Sequence, residues 1–432
     1  MQKRNLLIII LFLFTGTIGW SAERIRQNFD FDWQFRLGEQ GIYKPVQLPH
    51  DWSIELDFNE EVGPESGYLP GGIGYYKKDF NVPASYKGKR VSIVFDGIYH
   101  KATIYLNGQE VDYHRYGYTS FETDLTPYLK YGGKNTLSVK VDHSEKSRWY
   151  TGSGIYRHVW MQVTNPIHVK MWGTYITTPR VSAESAIVSC VTTVANTSAL
   201  TGEIEIMQRI VDAQGNLLKI NGKQYAARTE VVMPENGTKD IAQSFTLSNP
   251  QLWNLEKPYL YRLETILKQK GKVIDRYTTR FGVRTIGFDK DKGFFLNGKN
   301  IKMKGACLHQ DAGCLGVAVP NRSYERRLTI LKEFGANAIR CSHNPPSPEF
   351  LNYCDSIGFL VVDEAFDKWK SGYYEQFFDE CWQQDIRDMI VRDRNHPSIV
   401  LWSIGNELAE ATRKDNVGVE RATLLRDFVH KL

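Results

Sequence analysis

NAIRCSHNPPSPEFLNYCDSIGFLVVDEA, from Asn337 to Ala365, sets two apolar strand-like runs, NAIRCSH and FLVVDEA, on either side of a helix pattern from Pro348 to Ile357. Short apolar runs read as buried strands, and apolar spacing of about three to four residues reads as a helix face. The same grammar continues in both directions. Upstream, the strand IKMKGACLH (Ile301–His309) precedes a helix pattern from Tyr324 to Phe334. Downstream, a helix from Gln376 to Arg394 leads into the strand IVLWSIGN (Ile399–Asn406), and a last helix runs to Leu432. Strict alternation with apolar strands means parallel strands covered by helices, in a barrel or an open sheet. Both architectures collect chemistry at the carboxyl ends of their strands. Those ends carry His309 and Asp311, Arg340 and His343, Asp363 and Glu364, and finally Asn406 and Glu407. One polar strand end is ordinary capping; a succession of them predicts an active site.

The chain has 432 residues, too many for one domain of about 100 to 200 residues. Residues 23–165 read as a jelly-roll sandwich. RVSIVFDGIYHKATIYLNGQEV (Arg90–Val111) alternates apolar and polar residues, and Asn107-Gly108 marks a hairpin turn. Three loops rich in Gly, Pro or aromatics stand out in it: LPHDW (Leu48–Trp52), GYLPGGIGYYKKDF (Gly67–Phe80) and SRWYTGSGIYRHVW (Ser147–Trp160). Residues 166–284 carry further strands without a helix pattern, which predicts an immunoglobulin-like sandwich acting as a spacer. Residues 285–432 hold the β/α region.

Lys3 and Arg4 precede the apolar run Leu6–Phe14, and Gly19, Ser21 and Ala22 follow. That order predicts a signal peptide over residues 1–22, with export to the periplasm or the medium and no membrane association after cleavage. The run is shorter than the roughly 20 residues of a spanning helix. A formal charge of +5 is small for this length and argues against nucleic-acid binding. The 6 cysteines show no metal-type pairs and read as mostly buried thiols.

The strand ends hold no activated serine, no cysteine beside a base and no phosphate loop. Histidines and acids on separate strands lack the short spacing of a metal site, so no cofactor is expected. Carboxylates with imidazoles, an arginine and aromatics suit glycoside hydrolysis, in which one protonated carboxyl serves the leaving oxygen and a second, ionised one faces it. Glu407, after an apolar strand, is expected to be the proton donor, its pKa raised by partial burial. Asn406 can donate a hydrogen bond to a sugar hydroxyl.

The segment from Asn337 to Ala365 followed by RDRNHPSIVLWSIGNE (Arg392–Glu407) resembles the two signature regions of glycoside hydrolase family 2, the β-galactosidases, β-glucuronidases and β-mannosidases. GYLPGGIGYYKKDF, TGSGIYRHVW, NPQLWNLEKPYLY and FGVR are similar to that family's leading domains. The resemblance implies a jelly roll, an immunoglobulin-like domain and a (β/α)8 TIM barrel, acting with retention on a carbohydrate substrate. By motif position Glu407 resembles the acid/base, Asn406 the amide at the 2-hydroxyl, and Arg340 the arginine that orients the nucleophile. His343 and His309, with Asp311, resemble the lining of the glycone pocket, and Arg148 and Trp149 lie on a loop reaching the barrel mouth. Asp363 and Trp369, in DEAFDKW, complete the expected substrate contacts.

The first signature usually reads His-Tyr-Pro, and here it is His343-Asn344-Pro345. Members that use magnesium carry a Glu and a His where this chain has Lys368 and Lys370. Galactose-binding members often have an aspartate where Arg148 stands. Only the first half of a barrel of about 250 residues can be placed, so the nucleophile, on strand seven in the family, is expected to be absent from this chain. The polypeptide alone is then expected to be poorly soluble and without turnover. The leading expectation is an exo-β-glycosidase of the β-galactosidase branch. A β-glucuronidase or β-mannosidase, and a non-catalytic carbohydrate-binding protein, are the alternatives, and a homo-oligomer is compatible with all of them.

Overall fold

The computed structural model describes residues 23–432 apart from 146, 221–222 and 413. The expected signal peptide lies outside the described residues. Residues 25–164 form two packed antiparallel sheets of four and six strands. The period-two alternation places Leu137, Val139 and Val141 from one sheet and Val91, Ile93 and Phe95 from the other in one buried cluster. Asn107 and Gly108 both take positive φ, +54° and +86°, as a tight hairpin turn requires.

Residues 167–281 form a second sandwich of a three-stranded and a four-stranded antiparallel sheet. Its core includes Val188, Cys190, Ile210, Phe245, Leu263 and Phe281. This is the immunoglobulin-like unit.

A small antiparallel sheet at residues 286–300 leads into four parallel strands, β1 (Gly305–Leu308), β2 (Ala338–Cys341), β3 (Leu360–Glu364) and β4 (Ile399–Ser403), ordered β1-β2-β3-β4. Between and after them run α1 (Asn321–Glu333), α2 (Pro348–Ile357), α3 (Phe378–Asp393) and α4 (Val417–Val429). These units are part of a TIM barrel. Helix α2 shows why the sequence folds as it reads: the Ser347 side chain accepts from the Phe350 N–H, Pro348 opens the first turn, and Gly358 ends the helix at φ +85°. Ile339, Cys341 and Val361 pack against Leu328 and Leu351 of the helices. Period two therefore turns Arg340, Val362 and Glu364 to the opposite, inner face. Of the six thiols, none is bonded in a disulfide; Cys190, Cys341 and Cys354 are buried, whereas Cys307 and Cys314 are exposed, which corrects the expectation for those two.

Buried polar groups lock the sandwiches to the strand ends. Asp51 of LPHDW, 2% exposed, accepts from Tyr150 Oη at 2.6 Å, from the Ser153 N–H at 2.9 Å and from the Val317 N–H, in the loop after β1, at 3.0 Å. Gly152 lies inside this knot at φ +64°, and a Cβ there would meet Val317 Cγ2 at 2.1 Å, so no other residue fits. Arg157 donates to the carbonyl of Pro345 at 2.9 Å and Arg392 to that of Pro346 at 2.7 Å, holding the loop that carries His343 from two sides. The second sandwich contributes Trp253, whose indole donates to the Asp355 carbonyl at 2.8 Å, and Arg284, which donates to the Ile399 carbonyl at 2.5 Å. These contacts explain NPQLW and FGVR as docking elements.

Arg392 also pairs with Asp393 at 2.6 Å, both side chains being at most 2% exposed. Arg392→Met leaves a buried carboxylate without its partner and strips the Pro346 carbonyl of a donor. The expected cost is about 3 to 5 kcal/mol, read as a fall in the urea midpoint of the β/α region; an unchanged midpoint would contradict this role.

Candidate active site

The inner ends of the parallel strands converge on one carboxylate. Glu364, at the end of β3, is 0% exposed, and a buried charge must be paired. Arg340 of β2, in register with Val362, reaches up to donate to its Oε2 from Nε at 2.9 Å and from NH2 at 2.7 Å. Ser403 Oγ, at the end of β4, donates to the same oxygen at 2.6 Å, and His343 Nδ1 donates to Oε1 at 2.7 Å.

From there the network runs outward. Arg340 NH2 also reaches Asn406 Oδ1 at 2.8 Å, and Asn406 Nδ2 donates to Asp367 Oδ1 at 2.9 Å. Asp367 meets Arg148 of the first sandwich at 2.9 Å and Lys368 at 3.2 Å. Both cations then reach Glu407 Oε2, Arg148 at 3.1 Å and Lys368 at 3.4 Å. Gly405 is needed for space: a Cβ there would lie 2.9 Å from Trp369 Nε1, which is directed under the turn to donate to the Ile404 carbonyl at 2.6 Å. The chain then bends through a left-handed Glu407, φ +45°, a conformation costing roughly 1 to 2 kcal/mol.

Glu407 differs from its expectation. Its side chain is 68% exposed, and hydrogen bonds from Arg148 and Lys368 hold its carboxyl below the usual range. The expected rise by burial is overturned because the turn swings the residue out of the sheet and between two cations. Asp363 is corrected as well. It alternates with Glu364 and so points into the helix layer, fully buried; burial first, and then the neighbouring Asp393 carboxylate, push its carboxyl well up. Trp369 is likewise 1% exposed in an aromatic cluster with Phe366, Tyr374 and Phe378. Neither faces the cleft.

Of the remaining expected residues, Trp149, His309 and His343 come together, whereas Asp311 does not reach them. Trp149 lies over His309, ring centroids 5.1 Å apart, and over His343 at 5.7 Å. Trp149 Nε1 and His309 Nδ1 are buried without a hydrogen-bond partner among the described residues. Burial, and then the neighbouring His343, lower the pKa of His309, which favours the neutral ring. Asp311 braces its own loop: its carboxylate accepts from the Gly313 N–H at 3.1 Å and its carbonyl from Arg327 at 2.6 Å. Beside the network opens a cleft of about 560 Å³, lined by Tyr99, Tyr118, Trp149, His343, Asp367 and Lys368 among others.

Glu364 and Asp367 were not singled out from the sequence as contacts. The signal for Glu364 was period two, since Arg340 on the neighbouring strand fixes which of Asp363 and Glu364 faces inward. A divalent cation does not fit the acids beside Glu407. The Lys368 ammonium stands among their oxygens, and Lys370 is turned away to Asp379.

A β-sandwich that reaches over the carboxyl ends of TIM-barrel strands, with a second sandwich bracing the barrel, defines a modular barrel protein with a composite cleft. Three family models match in succession: the sugar binding domain of glycosyl hydrolases family 2 over residues 30–166, the central domain over 167–284 and the TIM barrel domain over 289–423. The chain belongs to glycosyl hydrolase family 2. It is 44% identical to the β-galactosidase BoGH2A of Bacteroides ovatus, over 95% of this chain and 50% of that protein. It is 30% identical to a β-glucuronidase of Bacteroides fragilis, over 93% of this chain and 59% of that one. A crystal structure of a family 2 member from Bacteroides cellulosilyticus superposes with a TM-score of 0.89 at 40% identity, covering 94% of this chain and 55% of the other. The chain thus spans about half the length of the relatives it matches.

Glu364→Gln removes the charge that Arg340, His343 and Ser403 share, and an amide cannot accept at both ends. A loss of about 2 to 3 kcal/mol in stability is expected, measured by urea unfolding. An unchanged midpoint would show that the network does not depend on the charge.

Proposed function

We propose that this chain supplies the proton-donor side of an exported, retaining exo-β-glycosidase that acts on terminal β-galactosides. The observation that carries the reading is Glu407. Its carboxylate stands just past a strand end, exposed and held by Arg148 and Lys368, two residues that line the cleft, beside an amide held from both sides by Arg340 and Asp367. In this reading Glu407 first takes up a proton against the pull of Arg148 and Lys368, gives it to the glycosidic oxygen as the bond breaks, then takes one from water in the second step. Asn406 holds a hydroxyl of the sugar, and Trp149, on the cleft wall beside His343, packs against the ring. Glu364 keeps Arg340 and His343 in place. Retention also requires an opposing carboxylate as nucleophile.

The galactoside preference leans on the family 2 β-galactosidase at 44% identity. A β-glucuronidase is the second reading, favoured by a half-exposed Arg148 at the cleft, whose charge suits a uronate. Chromogenic β-galactoside, β-glucuronide and β-mannoside, offered to the protein carrying the whole barrel, separate these readings. Cleavage of none would leave a binding protein. Export is tested by the mature N-terminus of the secreted protein, expected near Ser21 or Ala22.

In the protein with the whole barrel, Glu407→Gln should slow glycosides with poor leaving groups by roughly 10²- to 10⁴-fold and activated aryl glycosides far less. Equal losses for both would sink the donor role. Turnover should also persist in EDTA, because an ammonium offers no lone pair to a metal; loss in EDTA restored by magnesium would refute this.

A further inference from the structure

Lys368 occupies an unusual position. Its Nζ lies 3.2 Å from Asp367 Oδ1, 3.0 Å from the Asn406 carbonyl and 3.4 Å from Glu407 Oε2. Its side chain is 14% exposed, against 49% for Arg148, the other cation on Glu407. An ammonium has three donors and no acceptor, and here three oxygens of three residues surround it. The Asn406 carbonyl belongs to the peptide that enters Glu407, so one side chain touches both the backbone and the carboxylate of the left-handed residue.

We infer that Lys368 is a positioning residue for Glu407: a built-in cation that pins the turn through the Asn406 carbonyl and orients the carboxylate through its charge. The role rests on the proposed reading of Glu407 as proton donor, although the contact itself does not.

Two physical consequences follow. Among the described residues, the titratable and charged groups facing the Glu407 carboxylate are Arg148 from the first sandwich and Lys368, with Asp367 balancing both. Arg148 is exposed and Lys368 sheltered, but the Glu407 carboxylate is itself 68% exposed, so salt screens both cations, and the hydrogen bond from Arg148 comes ahead of that from Lys368 in lowering its proton affinity. A positive charge favours the ionised carboxylate, so removing it raises the pH at which Glu407 takes up its proton. The geometry is also particular to a compact ammonium. A planar guanidinium cannot direct its donors to three oxygens that surround a point.

The experiment follows Glu407 directly. The protein carrying the whole barrel, labelled with ¹³C at the glutamate side-chain carboxyl, is titrated by NMR, with the Glu407 resonance assigned by its loss in Glu407→Gln. In Lys368→Met the resonance is expected to titrate about one pH unit higher than in the unaltered chain. Lys368→Gln, which can still donate to the Asn406 carbonyl but carries no charge, should shift the same way and serves if the methionine variant fails to fold. Lys368→Arg, which keeps the charge, should titrate near the unaltered chain. A Glu407 resonance that titrates at the same pH in folded Lys368→Met or Lys368→Gln as in the unaltered chain would overturn the inference.

In the protein carrying the whole barrel, the basic limb of kcat/KM, which reports the general acid, should move up by the same amount in Lys368→Met. Failure of the donor reading looks different: Glu407→Gln would then affect poor and activated leaving groups equally, whatever the titration of Glu407 shows. A moved resonance with an unmoved basic limb would keep the contact and remove its part in the reaction.

Discussion

A single carboxylate buried at the inner end of β3 organises the site. Glu364 has no solvent, so its charge is tolerable only while Arg340, His343 and Ser403 all direct hydrogen bonds at it. That requirement fixes the rotamers of residues on two other strand ends and on the loop beyond β2. Arg340, once fixed, turns the second hydrogen of NH2 to Asn406, and Asn406 in turn reaches Asp367. The positions of the groups facing the cleft are thus inherited from the need to satisfy one buried charge.

The same principle joins the domains. Asp51, Arg157 and Arg392 are charged and almost wholly buried, and each satisfies backbone groups of a loop that has no strand or helix to pair with. Asp51 gathers amides and a phenol from two domains, and the two arginines hold consecutive proline carbonyls beside His343. Pro345 and Pro346 have no N–H and cannot anchor their own loop by donating. Arginines from the sandwich and from α3 supply the bonds instead. The leading sandwich is therefore part of the site, because Arg148 and Trp149 sit on a loop held in this way.

Glu407 shows how local burial and charge compete. An apolar strand leads to the expectation of a half-buried acid with raised proton affinity. The left-handed turn, made room for by Gly405 over Trp369, carries the side chain outward instead, and two cations favour its ionised form. In the described chain the cations win because desolvation is nearly absent.

The amino-acid sequence by itself determined the order of sandwich, sandwich and β/α units, since periods of two and of three to four residues are local properties that burial on one face imposes. It also determined which strand ends carry chemistry, because polar residues after apolar strands can be counted without knowing where they point. His309, Arg340, His343, Asn406 and Glu407 were legible on that ground, and Arg148 and Trp149 through their motif. The choice between Asp363 and Glu364 depended on the facing of β3 relative to β2, which adjacent residues of one strand do not reveal. The burial of Trp369, the exposure of Cys307, and the meeting of Lys368, Asp367 and Arg148 at Glu407 were decided only by the tertiary structure. Arg148 and Glu407 are 259 residues apart in the chain, and an interaction over that separation is set by how the domains dock, which no local pattern encodes.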